Sequence, residues 1–303
     1  MRVITANGIE VAVMDQASKR IRLFGSLMGG WEVQAEEIWS WSPEAASGFE
    51  RLSTAWGLPT DAKIRYGRTN RLEMAVTDSL GLAAIVPYPE GGSLRWGLNA
   101  GGNPHSAELL PDGNIAVAAS TGGWVRLYAS SQGPDCSDYA EYRLPGAHGV
   151  QWDPLHQLLW ALGDDELIAL KVEGTEASPR LRDTQRIALP SDGGHDLQPV
   201  YGDKDRLWVS TRTKVYQFVK SSRIFDEHYA FNERISRAHV KSIGNDLSGR
   251  IVFAAADGVL RPETGYLNND WCTDRVECGH REDALVIPGS ALYKARVWNP
   301  DYQ

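Results

Sequence analysis

The chain has 303 residues, 42% hydrophobic and 23% charged, a composition typical of a globular protein with a large core. Its formal net charge is −8, whereas nucleic-acid-binding proteins carry a basic surface, so we expect no nucleic-acid partner. No apolar run reaches the roughly 18 residues that a membrane helix needs, and the first residues lack the apolar segment of a signal peptide. We therefore expect a cytoplasmic protein without a membrane partner.

Cysteine and tryptophan content narrows the class further. The cysteines Cys136, Cys272 and Cys278 are too few for a disulfide framework. Cys272 and Cys278 are close enough in sequence to close a small loop, but we prefer free thiols. Eleven tryptophans, many inside strand-like runs such as EIWSWSP, favour a sheet protein with wide, half-buried faces.

The first third of the chain has strand-like patterns with one interruption. IEVAVMDQASKRIRLFG followed by EEIWSWSP resembles a structural unit that lacks its first strand. Residues 42–56, SPEAASGFERLSTAW, have the one helix-like pattern, and we interpret them as an insertion. AKIRYGRTNRLEMAVT then begins a second unit.

Four later segments share one pattern, in which a histidine precedes a strand, a polar turn and an apolar strand. They begin at His105, His148, His195 and His239, at intervals of 43, 47 and 44 residues. A third strand and a more polar fourth strand follow each pair. Four short strands in a repeat of about 43 residues are typical of a β-propeller blade.

The chain is therefore predicted to be all-β, a single six-bladed β-propeller over residues 1–303 with four-stranded antiparallel blades. Five or seven blades remain open, because both ends of the repeat pattern are irregular. Residues 257–290 are interpreted as a long insertion in the last blade. The late segment ALYKARVWN is expected to supply the missing strand of the first blade, which would close the ring of sheets.

The repeated histidines predict a site on the propeller axis. The first strand of each blade lines the central channel, so a residue at its start lies near the channel mouth. Imidazole is a common metal ligand, and His105, His148, His195 and His239 would hold a divalent ion such as Mn, Zn, Fe or Ca. In the alternative interpretation, the histidines only stabilise each blade. The fourth repeat aligns either His239 or Val240 with the ring.

Polar residues near these strands are candidates for catalysis and substrate binding. Arg212 follows a second strand at the same mouth and is a candidate base, unless it is an ordinary surface arginine. Glu108, Gln151 and Gln198 follow histidines by three residues, and either orient imidazoles or substrate or form a polar stripe between blades. The remaining candidates lie on or beside inner strands: Lys63, Tyr201 and Lys241 for catalysis, and Arg65 for substrate binding.

The phrases NPHSAELLP, GAHGVQWDP, GGHDLQP and VKSIG resemble a family of bacterial six-bladed propellers often found in carbohydrate-utilisation settings. The layout of the histidines, though not the sequence, is similar to that of peptidyl-amidoglycolate lyase and oligogalacturonate lyase. That resemblance implies metal ligands at His105, His148 and His195, with Gln151 or Gln198 as a fourth ligand and Arg212 as base.

Together these features predict a metal-dependent, carbohydrate-active enzyme. A lyase that cleaves a uronate-containing or oxidised saccharide by β-elimination is the leading hypothesis, with an oligosaccharide or a small molecule as substrate. A sugar hydrolase or isomerase at the same metal centre is the first alternative. A propeller that binds a ligand or partner without catalysis is the second.

Overall fold

The computed structural model describes residues 9–25, 36–262, 270–279 and 284–303. Six four-stranded antiparallel sheets are arranged as the blades of a propeller, which confirms the predicted fold class and the number of blades. We number the blades in chain order and give each blade's strands from the channel outward.

The first three blades contain the following strands: β24 (Leu292–Val297), β1 (Glu10–Asp15), β2 (Arg20–Gly25) and β3 (Glu36–Trp41) in blade 1; β4 (Pro59–Tyr66), β5 (Leu72–Asp78), β6 (Leu82–Pro87) and β7 (Trp96–Asn99) in blade 2; and β8 (Pro104–Leu109), β9 (Ile115–Ala119), β10 (Trp124–Tyr128) and β11 (Tyr139–Arg143) in blade 3.

The other three blades continue the pattern: β12 (Gly149–Asp153), β13 (Leu158–Leu162), β14 (Glu166–Thr175) and β15 (Ser178–Ala188) in blade 4; β16 (Asp196–Pro199), β17 (Arg206–Ser210), β18 (Val215–Val219) and β19 (Ile224–Asp226) in blade 5; and β20 (Val240–Asn245), β21 (Ile251–Ala255), β22 (Arg275–Cys278) and β23 (Ala284–Val286) in blade 6.

The six inner strands form a closed ring around the channel. Each of β4, β8, β12, β16, β20 and β24 contacts the next, and β24 contacts β4. The strand that completes blade 1, β24, comes from the late segment ALYKARVWN, as the sequence predicted. Pairing of β24 with β1 covers the inner edge of that blade, which would otherwise be open to other strands.

Burial follows distance from the axis. All six residues of β8 are buried, whereas exposed and half-buried residues alternate along β11. Because strand side chains point alternately to the two faces, the inner strands pack against both neighbouring blades. In the described residues the apolar side chains form six clusters, one between each adjacent pair of blades.

Two segments interpreted as insertions have short elements of their own. Within residues 42–56, Pro43–Ala45 and Glu50–Ala55 form 3-10 helices, separated by Gly48 at φ +88°, a conformation that interrupts a helix. Residues 257–290 contain the outer strands β22 and β23, while 263–269 and 280–283 lie outside the described residues. A four-residue α-helix, Asn232–Ile235, precedes blade 6.

Two further expectations concern the cysteines and the membrane. None of the three cysteines, all of which lie in described ranges, forms a disulfide bond. Across the described ranges, no helix combines the length and the apolar character required to span a bilayer.

Candidate active site at the channel mouth

The inner strands enter the channel at one mouth, where bulges direct particular side chains. The pairing of β8 with β9 shifts between Pro104 and Ser106, so that His105 is an extra residue. Similar shifts occur at Lys241 in β20 and at Thr60 in β4. A β-bulge bends its strand and re-aims the side chain of the extra residue. These three residues therefore occupy equivalent positions in three blades.

The other three blades contribute one residue each. His148 and His195 directly precede β12 and β16, and their backbone amides donate to the neighbouring strands. Tyr293 lies in the irregular part of β24, where the pairing with β1 shifts. We call these six residues the mouth ring: Thr60, His105, His148, His195, Lys241 and Tyr293.

A left-handed residue two positions earlier fixes the register of four ring members. Asn103, Gly146 and Gly193 have φ of +62°, +62° and +70° and precede the three ring histidines, and His239 has φ +65°. This conformation turns the chain from the connection between blades into the inner strand. Since His239 itself occupies the turning position, Lys241, and neither His239 nor Val240, takes the ring position in blade 6.

The three ring histidines lie close together although they are far apart in sequence. The ring centroids of His105 and His148 are 4.5 Å apart, and those of His148 and His195 are 4.8 Å apart. Tyr293 reaches across from blade 1, with its centroid 5.5 Å from that of His105 and 5.7 Å from that of His195. The sequence-based prediction that these imidazoles cluster at one mouth agrees with these distances.

Backbone carbonyl groups orient two of the imidazoles. Nδ1 of His105 is 2.9 Å from the Asn103 carbonyl oxygen, and Nδ1 of His148 is 2.6 Å from that of Gly146. Because a carbonyl oxygen only accepts hydrogen bonds, each Nδ1 carries the proton and each Nε2 keeps a lone pair. Such second contacts commonly fix the tautomer of histidines in functional sites.

The third imidazole has a different set of neighbours. Nε2 of His195 is 3.4 Å from Nζ of Lys241 and 3.3 Å from the hydroxyl oxygen of Tyr293. Its Nδ1 is buried and has no hydrogen-bond partner among the described residues. One lone pair on Nε2 accepts one strong hydrogen bond, so Lys241 and Tyr293 compete for it. As an ammonium group, Lys241 has three hydrogens, so at least two of them are not used by His195.

Burial sets the charge of the ring. It lowers the pKa of His148 to about 4 and lowers the pKa of His105 and His195 well below the usual range. Burial also lowers the pKa of Lys241 to about 8. Charged forms lose hydration in such a site. Near neutral pH the three imidazoles are therefore uncharged, and about a tenth of Lys241 is a free amine.

Arg212 and His239 lie at the rim of the same mouth. The amide of His239 donates to the Arg212 carbonyl oxygen at 3.1 Å. The Arg212 side chain is 65% exposed and pairs with Asp192 at 3.1 Å. His239 takes part in none of the ring contacts that join the other three histidines within the described part of the chain.

The charged candidates Lys63, Arg65 and Glu108 lie deeper in the channel. Nζ of Lys63 donates to the Val150 carbonyl oxygen at 2.6 Å and lies 3.3 Å from the Glu108 carboxylate. Nε of Arg65 donates to the same carboxylate at 2.7 Å. All three side chains are almost completely buried. They form one ion-pair network across blades 2, 3 and 4 instead of facing the histidines.

Gln151 and Tyr201 lie at the opposite mouth, where a later segment covers the channel. Nε2 of Gln151 donates to the Tyr302 carbonyl oxygen, and the hydroxyl of Tyr201 donates to that of Asp301, both at 2.9 Å. The guanidinium of Arg65 lies 4.9 Å from the Tyr302 ring centroid. Gln198 is buried, and its amide donates to the neighbouring Leu197 carbonyl oxygen.

Strand geometry explains this separation. A strand rises about 3.3 Å per residue, so a residue three positions after a ring histidine lies about 10 Å deeper in the channel. Sequence reasoning also missed Tyr293 and Thr60 as ring members. A signal for Tyr293 was present, because ALYKARVWN was expected to form an inner strand and Tyr293 is the second residue of β24.

The mouth ring meets one of the two requirements for binding a divalent metal ion. The donors fit in kind, because three uncharged imidazoles, two with Nδ1 held by carbonyl groups, suit ions such as Zn²⁺ or Mn²⁺. The arrangement does not fit: in the described ranges, no group of three or more His, Cys, Asp or Glu side chains is placed to hold a metal ion. Lys241 and Tyr293 also approach the His195 nitrogen that a metal would use.

The fold and the mouth ring define a six-bladed propeller with a cluster of polar, ionisable side chains on its axis. Residues 29–296 match the family of unknown function DUF6528, and the chain belongs to that family. No curated protein matches the sequence.

Solved structures with a similar fold include the periplasmic gluconolactonase of Pseudomonas aeruginosa, at 14% identity and a TM-score of 0.52 over 92% of this chain and 80% of that one. Virginiamycin B lyase of Staphylococcus aureus has 9% identity and a TM-score of 0.47 over 78% and 69%. Hydrazine synthase of Kuenenia stuttgartiensis has 11% identity and a TM-score of 0.48, and the match covers 71% of this chain but 61% of that one. At these identities the likeness concerns the fold alone.

Proposed function

We propose that this propeller is a carbohydrate-active enzyme and that the mouth ring is its active site. The reaction we propose is β-elimination on a uronate-containing or oxidised saccharide. The observation that carries the proposal is the meeting of three uncharged imidazoles, an amine and a phenol at one mouth of the channel. Clusters of ionisable groups with shifted pKa values mark functional sites more often than structural ones.

The charge of the channel supports an acidic substrate. The cations Lys63, Arg65, Lys294 and Arg296 are paired with the acids Asp61, Glu108 and Asp196. Lys241 adds a further basic group that has no ion pair within 4 Å among the described side chains. A carboxylate at the mouth would therefore meet the amine of Lys241 in a site of low dielectric constant.

The ring contains the groups that a β-elimination requires. Lys241, as the free amine, would take the proton from the carbon next to the substrate carboxylate. The electron pair released would form a carbon–carbon double bond while the adjacent carbon–oxygen bond breaks. The leaving oxygen would take its proton from the Tyr293 hydroxyl. Exchange with water would then return both side chains to their starting states. Arg212 is the alternative base, although it is exposed and paired with Asp192.

A divalent ion at His105, His148 and His195 is a separate part of the proposal, supported by the chemistry of the donors and not by their arrangement. Metal analysis of the purified protein, repeated on His105→Ala and His148→Ala, tests this part. His228→Ala is the control, since its side chain is 97% exposed.

The reaction is tested with uronate-containing oligosaccharides, with and without a chelator, by the absorbance of the unsaturated product. Lys241→Met should lower kcat by about 10²- to 10⁴-fold, the usual contribution of a positioned base. Tyr293→Phe should lower it as well, while Tyr66→Phe, an exposed control, should not. If Arg212→Met lowered kcat by this factor and Lys241→Met did not, Arg212 would be the base instead of Lys241.

Other outcomes favour other functions. Saturated products from the same ring would point to a sugar hydrolase or isomerase. Binding of an acidic saccharide, lost in Lys241→Met but never followed by a new product, would point to a non-catalytic binding propeller. The proposal would be refuted if the protein neither bound nor converted any acidic saccharide.

A further inference from the structure

A second ring of side chains lies directly beneath the mouth ring. It consists of the residue that follows each mouth-ring member, and we call it the lower ring: Asp61, Ser106, Gly149, Asp196, Ser242 and Lys294. Five of these residues have side chains with polar groups, and all five are buried. In the sequence they carry no motif, and the proposed reaction does not use them.

The lower ring links three pairs of adjacent blades. The hydroxyl of Ser106 donates to Asp61 at 2.7 Å, and the hydroxyl of Ser242 accepts from the Ala295 amide at 2.8 Å. Asp196 accepts from the Ile243 amide at 3.0 Å. These bonds connect blades 2 and 3, 6 and 1, and 5 and 6.

One guanidinium joins two sides of the lower ring. Nε of Arg296 donates to Asp61 at 2.8 Å, and its two terminal nitrogens donate to Asp196 at 2.9 and 2.7 Å. Arg296 belongs to blade 1, so this contact reaches blade 2 on one side and blade 5 on the other. Lys294 adds a pair with Asp196 at 3.3 Å and donates to the His105 carbonyl oxygen at 3.1 Å.

We propose that Arg296 is a positioning residue for the mouth ring, because it holds the residues that adjoin Thr60, His105 and His195. Asp61 follows Thr60 and binds the residue next to His105, and Asp196 follows His195. A planar guanidinium satisfies both carboxylates in fixed directions, which an ammonium group cannot do. The placement of His105 relative to His195 therefore depends on this side chain.

Stability alone does not account for the arrangement. A buried ion pair often contributes little net stability compared with apolar residues of similar size. Another buried ion pair joins blades 4 and 5 without contacting the mouth ring, Lys220 with Asp153 at 2.7 Å. That pair provides a matched control, because its loss perturbs the core at the opposite end of the channel.

The experiment compares Arg296→Lys and Arg296→Met with Lys220→Met. Nitrogen NMR of the imidazoles reports the tautomer of each ring histidine and needs no substrate. We expect both Arg296 variants to shift the imidazole nitrogen signals of His105 and His195. The signals of His148 should shift less, since Gly149 contributes no side chain to the lower ring. Lys220→Met should leave all three unchanged.

Kinetics supply the second measurement, which rests on the proposed function. Positioning contacts of this kind typically affect activity by 10- to 100-fold, so we expect kcat to fall by about that factor with KM changed less than about threefold. Ser106→Ala, a milder variant, keeps the test available if the Arg296 variants do not fold, and it should shift His105 alone.

The outcomes separate the two proposals. The positioning role would be overturned if the Arg296 and Lys220 variants shifted the imidazole signals equally. It would also be overturned if no variant, including Ser106→Ala, shifted them. Absence of turnover in the wild-type protein would count against the proposed function, whereas the imidazole shifts would still decide the role of Arg296.

Discussion

Replacing His148 with glutamine tests whether the mouth ring is held uncharged by burial. Burial lowers the pKa of His148 to about 4 in the folded protein, whereas an unfolded histidine has a pKa of about 6.5. The unfolded state therefore binds more protons between these pH values, so the stability present above pH 6.5 is lost as the pH falls toward 4. A difference of about 2.5 pKa units corresponds to about 3 kcal/mol of unfolding free energy.

The assay is urea unfolding at pH 7 and at pH 4.5 for the wild type, His148→Gln and His228→Gln. Glutamine cannot take up a proton in this range, so His148→Gln should lose less stability on acidification than the wild type, by about 2 to 3 kcal/mol. His228 is exposed, so His228→Gln should leave the pH dependence of the unfolding free energy unchanged. Identical pH dependence in the wild type and His148→Gln would show that His148 is not held uncharged by the fold, and the electrostatic description of the ring would be wrong.

Two further predictions concern the fold. Leu167 is buried in the cluster between blades 4 and 5, so Leu167→Ala should lower the free energy of unfolding by about 2 to 5 kcal/mol. Leu155 is 62% exposed, so Leu155→Ala should change that free energy by less than about 0.5 kcal/mol. Equal effects of the two substitutions in denaturant titrations would contradict the described packing. Tyr302→Ala should speed amide hydrogen exchange in β8 and β12 relative to Tyr302→Phe, because only the alanine variant loses the ring over Arg65. Equal exchange rates in the two variants, measured by mass spectrometry, would show that this stacking does not stabilise the opposite mouth.

The blade architecture was predictable because it depends on local sequence patterns. Each blade repeats a period-two alternation interrupted by turn residues, and this pattern specifies strands whatever lies around them. The closing strand β24 was predictable for the same reason, because ALYKARVWN has that pattern and blade 1 lacked an inner strand. The short outer strands β22 and β23 were not separated from the polar stretch around them, since three or four residues give too little pattern.

The candidate site was predictable only in part. His105, His148 and His195 could be aligned because each opens an inner strand. The place of Lys241 depended on His239 adopting the left-handed turning conformation, which is uncommon for residues other than glycine. The place of Tyr293 depended on a bulge in β24. One extra residue in a strand changes which side chain faces the axis, and no sequence signal specified it.

By itself, the sequence determined that this is a propeller of short antiparallel strands with histidines at one end of several inner strands. Those features depend on alternation and spacing, which are properties of neighbouring residues. The tertiary structure decided which six side chains meet at the mouth, that Arg65, Gln151 and Tyr201 lie far from the ring histidines, and that Arg296 joins Asp61 to Asp196. Such contacts join residues up to 235 positions apart, and they form only when closure of the blades brings those strands to one axis.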